Sequence, residues 1–168
     1  MLRIEPLGSR HDRAGFDCGV TALNRYLRET ARQHVAKGIA KTFVLVEDTD
    51  SPPKPVLGFF TLSLCQVLGS DVPPKWAKKL PRKIPAMRLG RLAVARARQR
   101  QGLGKLLVVE AIYKVAAVAS AAGGIGLFVD AKDQVAAEFY SRLGFDASPT
   151  EPLTLFMPMQ TVRRFVQS

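Results

Sequence analysis

Arg91-Leu92-Ala93-Val94-Ala95-Arg96-Ala97-Arg98-Gln99-Arg100-Gln101-Gly102-Leu103-Gly104-Lys105 is the stretch whose reading decides the fold. An apolar run, 86–95, reads as a strand and gives way to a polar, basic loop, 96–101. A long helix-forming run, 102–122, follows and stops at Gly123-Gly124. Two glycines thus fall in the first turn of a helix, where the leading N–H groups have no intrahelical acceptor. The macrodipole leaves roughly half a positive charge there. Without side chains at Gly102 and Gly104 an anion approaches the backbone closely, and Arg98, Arg100 and Lys105 add formal charge, so the turn suits a diphosphate. The G-x-x-x-x-G-K-[ST] spacing of a Walker loop is absent. Leu107 stands where the dinucleotide fingerprint needs its third glycine. The same pattern also serves a plain flexible loop with a permissive helix start.

Working outward, Val20, Leu23, Leu27, Ala31 and Val35 recur at helical spacing, with Asp17 as the expected N-cap and Gly38 as the stop. Two strands are expected at 41–47 and 56–64, joined by Ser51-Pro52-Pro53-Lys54-Pro55. In the second, Phe60, Leu62 and Leu64 alternate with Phe59, Thr61 and Ser63, as in a half-buried antiparallel strand. Residues 73–85 form a proline-rich basic loop around Trp76, with one helical turn near 75–79. After the central strand and helix come a buried strand at 125–129, an amphipathic helix at 133–143 closed by Gly144, and a late strand at 153–159. The order is α, β, β, then βαβα, then β. That predicts one mixed α/β domain over 1–168: a central mixed sheet with a parallel βαβ step, flanked by helices.

Composition narrows the function. The 168 residues are 47% hydrophobic and 23% charged, with 25 basic against 14 acidic side chains and a net charge of +11. Such a chain is neither an acidic disordered segment nor a disulfide scaffold, and its expected partners are anions. Cys18 and Cys65 lie in apolar-patterned stretches and read as inert buried thiols. The opening Met1-Leu2-Arg3-Ile4-Glu5 has no apolar run of signal-peptide length, and 56–69 is too short to span a bilayer. A cytoplasmic protein without membrane contact is expected. His11 and His34 are too few for a metal claim, and no metal is expected.

Gln99-x-x-Gly102-x-Gly104 resembles the coenzyme A-binding signature Q/R-x-x-G-x-G/A of the GNAT acetyltransferases. Phe139-Tyr140-Ser141-Arg142-Leu143-Gly144-Phe145 is similar to that family's F-Y-x-x-x-G-F. The resemblance implies the GNAT fold and acetyl-CoA as co-substrate. It implies that backbone groups of Leu92, Ala93 and Val94 pair with the pantetheine arm like an added strand. Gly102, Gly104 and their neighbours Gln99, Arg100 and Lys105 would hold the diphosphate, with Asp133 and Phe139 as further cofactor contacts. Asp133 replaces the Asn of many relatives. Tyr140 takes the position of the usual GNAT acid. A narrower resemblance, to the GNAT toxins of type II toxin–antitoxin modules, rests on Phe16-Asp17-Cys18-Gly19, Leu23-Asn24, Tyr26-Leu27, Ala31, Gln33, Arg91-Leu92-Ala93-Val94 and the closing Pro152-Leu153-Thr154-Leu155-Phe156-Met157-Pro158-Met159. Ala95 departs from the acidic residue of many members. This second resemblance implies an acetyltransferase that modifies the α-amine of aminoacyl-tRNA and blocks translation. It also implies a homodimer and a cognate ribbon-helix-helix antitoxin.

The residues themselves bear on that substrate. Eleven basic side chains fall between 75 and 105 with no Asp or Glu among them. A solvated basic face is one reading; a tRNA-facing surface with Lys78, Lys79, Arg82, Lys83, Arg91 and Arg96 is the other, and it compensates the self-repulsion. Tyr140 supplies an acid for a departing thiolate, although its spacing with Val135, Ala136 and Leu143 equally suits a core aromatic. No carboxylate base stands out: Glu110 is mid-helix and Glu138 is on the outer face. An α-amine with pKa about 7.8 is roughly 10–15% neutral at pH 7, about 400-fold more often than a lysine amine. The chain therefore suits an α-amine. A protein N-terminus, a small-molecule amine, or a non-catalytic RNA-binding module are the alternatives.

Overall fold

The computed structural model describes residues 1–167. In chain order the elements are β1 (Leu2–Pro6), β2 (His11–Asp12), α1 (Thr21–Arg25), a π-helical turn (Tyr26–Thr30), α2 (Ala31–Ala36), β3 (Lys41–Glu47), β4 (Lys54–Pro55), β5 (Gly58–Leu68), α3 (Pro74–Ala77), β6 (Lys83–Val94), α4 (Leu103–Ala122), β7 (Gly126–Asp130), α5 (Gln134–Arg142), β8 (Asp146–Ala147), β9 (Thr154–Pro158) and α6 (Met159–Gln167). Seven strands form one mixed sheet in the order β1-β3-β5-β6-β7-β9-β8. The chain divides into two compact units, residues 1–63 with 90–111, and residues 64–89 with 112 onward.

In the first unit β1, β3 and β5 pair antiparallel, Ile4 opposite Leu45 and Phe43 opposite Phe60. Phe59 and Phe60 point to opposite faces and both are fully buried, so this half of β5 is covered on both sides. The expected half-buried alternation fails here because Phe59 packs edge-on to Phe16, beside Tyr26, while Phe60 stacks on Phe43. The helix expected over 17–38 is shorter and interrupted by the π-helical turn. Its N-cap is Val20, not Asp17. Asp17 instead accepts from the Gly19 amide at 2.8 Å and from Asn24 Nδ2 at 3.0 Å, and Asn24 Oδ1 accepts from the Cys18 amide. Gly38, at φ +73°, ends the helix as expected.

Two features of this unit escape the sequence pattern. β1 is an edge strand, and the proline-rich 51–55 segment contributes β4, which pairs in parallel with β2. β4 carries Lys54 into a buried cluster: Lys54 Nζ donates to Glu5 Oε2 at 3.1 Å, and His11 Nε2 lies 2.8 Å from Glu5 Oε1.

In the second unit β6 pairs in parallel with β7, Arg88 opposite Phe128, and β7 pairs antiparallel with β9. This is the expected βαβ step. Gly126 is required by close approach: a Cβ there would lie 2.2 Å from the Met157 carbonyl and 2.6 Å from the Phe156 ring. Val67, Val72, Ile84, Ala86, Phe128 and Phe156 form the core, with Trp76 packed against it as a loop anchor. The strand expected to run to 159 stops at Pro158, and Met159 opens α6, which the sequence reading omits along with β8.

Candidate functional site

The glycine turn belongs to the first unit. After Val94 the chain bends through Ala95, whose amide donates to the Leu57 carbonyl, and through a 3-10 turn at Arg96–Arg98. Gln99 then spans the loop: its side-chain amide donates to the carbonyls of Cys18 and Val94, each at 3.0 Å. Gln99 thus shapes the turn by closing its base. Arg100 and Gly102 both lie in the left-handed region, at φ +65° and +80°. A Cβ on Gly102 would touch nothing, so this glycine is required by its backbone conformation. The Gly102 carbonyl accepts from the Leu106 amide as α4 begins. The amides just ahead of Leu106 therefore have no intrahelical acceptor and sit at the positive end of a twenty-residue helix.

Two further observations fit a diphosphate carrier. Arg98 Nε is buried with no hydrogen-bond partner among the described residues, a cationic donor lacking an acceptor. The β6–β7 ladder registers only at Met87, Arg88 and Leu89, so Leu92, Ala93 and Val94 lie beyond it on β6. A strand edge of that kind accepts an extended, amide-bearing arm. Arg100 and Lys105 are exposed and make no ion pair among the described residues.

Tyr140 belongs to the second unit. It is buried on α5, edge-on to Phe139 and to Phe145, with ring centroids 5.3 and 5.7 Å away. Among the described residues its hydroxyl makes no hydrogen bond. Burial, with a smaller contribution from the Asp130 carboxylate, pushes the phenol well above its ordinary value, so the group is a neutral proton donor throughout the physiological range. Asp133 caps α5, its Oδ1 accepting from the Ala136 amide at 2.8 Å, and Phe139 is half-buried. The carboxylate of Asp133 is thus already engaged in holding the helix that carries Tyr140.

The basic run separates into paired and unpaired charges. Lys78, Lys79, Arg82 and Lys83 are exposed and have no ion-pair partner among the described residues. Arg91 lies over Tyr26, its Cζ 3.7 Å from the ring centroid, and Arg96 Nε is 3.9 Å from Asp17 Oδ2. Lys75 pairs with Asp146 and Arg88 with Asp130. Carboxylates distant in sequence therefore neutralise part of the run, which its lack of local acids conceals. The Arg88–Asp130 pair is also the feature the sequence reading missed, since Asp130 carries no motif and Arg88 appears there only as one charge among eleven.

The acetyltransferase (GNAT) domain matches residues 40–147, and the chain belongs to that family. It is an acetyl-CoA-dependent N-acetyltransferase by class, as its two motifs imply. Among its relatives is a tRNA-acetylating toxin of Mycobacterium tuberculosis (strain ATCC 25618 / H37Rv), 32% identical over 155 residues, covering 92% of this chain and 90% of the relative. The solved structure of AtaT complexed with acetyl-methionyl-tRNAfMet is 34% identical, with a TM-score of 0.90 and 99% of both chains covered. A tyrosine-to-phenylalanine variant of the AtaT toxin, bound to the C-terminus of the antitoxin AtaR and to acetyl-CoA, is 31% identical with a TM-score of 0.83, again over 99% of both chains. One relative of this chain is thus named a tRNA-acetylating toxin, and another was solved with an acetylated aminoacyl-tRNA. No helix among the described residues is long and apolar enough to cross a membrane.

Proposed function

We propose that this protein transfers acetyl from acetyl-CoA to the α-amine of aminoacyl-tRNA and so arrests translation. The observation that carries the reading is the end-to-end likeness to AtaT in complex with an acetylated aminoacyl-tRNA. Bound acetyl-CoA would supply the thioester whose carbonyl carbon the amine attacks. The chain's own part begins with the amides at 102–105 and Arg98, which bind the diphosphate. Backbone groups of Leu92, Ala93 and Val94 hold the pantetheine arm, and Gln99 and the Asp133 cap fix the loop and the helix from behind. Tyr140 donates its proton to the departing sulfur, and the proton that the attacking nitrogen sheds, passed through solvent, restores the phenol; the burial of Tyr140 and its unengaged hydroxyl support the role.

Lys78, Lys79, Arg82 and Lys83 bind RNA phosphates, since four exposed cations without carboxylate partners repel one another until a polyanion arrives. Arg91 and Arg96 play a lesser part, because Tyr26 and Asp17 already engage them. The setting is the cytoplasm, where charged tRNA is found. The partners are a second copy of the chain and a cognate ribbon-helix-helix antitoxin; the antitoxin-bound relatives support the latter. Cell-free translation tests the reading: added protein stops synthesis when acetyl-CoA is present and not when it is omitted. Arrest independent of acetyl-CoA contradicts it.

A further inference from the structure

The second unit encloses a cavity of about 220 Å3 that none of these roles uses. Val67 and Phe128 line it together with Arg88, Ser148 and Thr154. Asp130 is not itself part of that lining; strand register brings it against two residues that are, Arg88 and Thr154. Arg88 stands opposite Phe128 in the β6–β7 ladder, and Asp130 stands opposite Thr154 in the β7–β9 ladder. Residues 128 and 130 share a face of β7, which is how Arg88, lying over the Phe128 ring, also meets Asp130. Arg88 Nη1 donates to Asp130 Oδ1 at 2.5 Å, and the Thr154 hydroxyl lies 3.4 Å from the same oxygen. Both donors converge on Oδ1. Oδ2 accepts no hydrogen bond among the described residues, and the side chain is 42% exposed.

The other titratable groups around this pair are accounted for. Asp71 accepts from the Leu68 amide and the Thr150 hydroxyl, so its carboxylate is already engaged. Glu151 lines the cavity and has no ion pair among the described residues. Burial pushes the Cys65 thiol up, so beside Arg88 it stays neutral. Tyr140 senses the Asp130 charge, which puts the carboxylate within electrostatic reach of the acid.

We propose that Asp130 accepts, on its open Oδ2, an N–H of the substrate's α-amine, and that Arg88 keeps that amine neutral. The inference rests on aminoacyl-tRNA being the acceptor and names two side chains that receive its amine. A lone carboxylate would hold the group as an ammonium, with no lone pair to attack a thioester. The Arg88–Asp130 pair has no net charge, and a guanidinium beside the amine disfavours a second cation. The amine gives up its extra proton to solvent on entering, donates one N–H to Oδ2, and keeps its lone pair. Asp130 is then a substrate-binding residue, and Arg88 a positioning residue that acts through it.

The test is the pH dependence of kcat, which reports the ionisation of the bound amine, for acetylation of a charged tRNA pool by the intact protein. Arg88→Gln should move the acidic limb up by about one pH unit, because the bound amine is then held as an ammonium. Arg88→Lys should restore the original limb, and Asp130→Asn should raise KM for aminoacyl-tRNA about tenfold while acetyl-CoA affinity, measured by calorimetry, is unchanged. Acetyl-CoA binding by every variant shows that each has folded. A limb that Arg88→Gln leaves in place, or an unchanged KM in Asp130→Asn, overturns the inference while the functional reading stands. If the unaltered protein acetylates no aminoacyl-tRNA, the reading fails and takes the inference with it.

Discussion

The side-chain amide of Gln99 donates to the carbonyl of Cys18 at 3.0 Å, tying the glycine turn to a loop eighty-one residues earlier in the chain. The same amide reaches the Val94 carbonyl, so one side chain ties the start of the turn to that earlier loop. Gln99→Ala removes two bonds worth about 1 kcal/mol each and leaves the turn free to open. Acetyl-CoA affinity should fall roughly tenfold, the remaining loss appearing as reduced stability. Calorimetric titration and a melting curve together check this, and an unchanged Kd would make Gln99 irrelevant to the turn's shape.

Tyr140→Phe keeps the ring and its contacts with Phe139 and Phe145, and removes only the hydroxyl with its proton. Turnover should fall by about two orders of magnitude with acetyl-CoA binding intact. In the unaltered protein burial raises the phenol's pKa, so its protonated form persists to higher pH than that of a free tyrosine. Once the amine is fully neutral, kcat should stay flat up to about pH 10, the ordinary tyrosine value. A loss of rate with a midpoint below that contradicts the assignment.

Reversing Lys78, Lys79, Arg82 and Lys83 to Glu should weaken tRNA binding and flatten its dependence on salt, since each phosphate contact releases a counterion. Acetyl-CoA affinity should not change. A salt slope equal to that of the unaltered protein would place the RNA surface on other cations.

The Glu5 cluster predicts acid sensitivity. The hydrogen bond from His11 holds the Glu5 carboxyl below the ordinary glutamate value, and Lys54 lowers it further. A lowered folded-state pKa means the stabilisation is complete above the unfolded value of 4.5 and is lost as pH falls toward the folded one. Glu5→Gln leaves Lys54 buried and unpaired, costing about 3 kcal/mol at neutral pH. It should also remove this part of the acid-induced loss. Denaturant titrations at pH 7 and pH 4 measure both effects.

Much of the candidate site is legible in the sequence, because it depends on local pattern. A strand, a basic loop and two glycines at a helix start mark the turn from neighbouring residues alone, and Phe139-Tyr140 with Gly144-Phe145 marks the second helix in the same way. What escaped depends on partners distant in the chain. Asp17 looked like a helix cap, yet its acceptors serve Gly19 and Asn24 within the loop. Arg91 counted as a free cation until Tyr26 came to lie beneath it. Asp130 carried no signal at all, since only the β6–β7 and β7–β9 registers bring it to Arg88 and Thr154. β1 was missed because a five-residue edge strand is defined by the strand it pairs with, here β3.

The most direct test follows the acetyl group. The protein is incubated with labelled acetyl-CoA and a pool of charged tRNAs, and the nuclease-released aminoacyl-adenosines are identified by mass. The account predicts label on the α-nitrogen of one or more aminoacyl ends, lost in Tyr140→Phe. Label confined to free amines or protein, with every aminoacyl end unmodified, would contradict it.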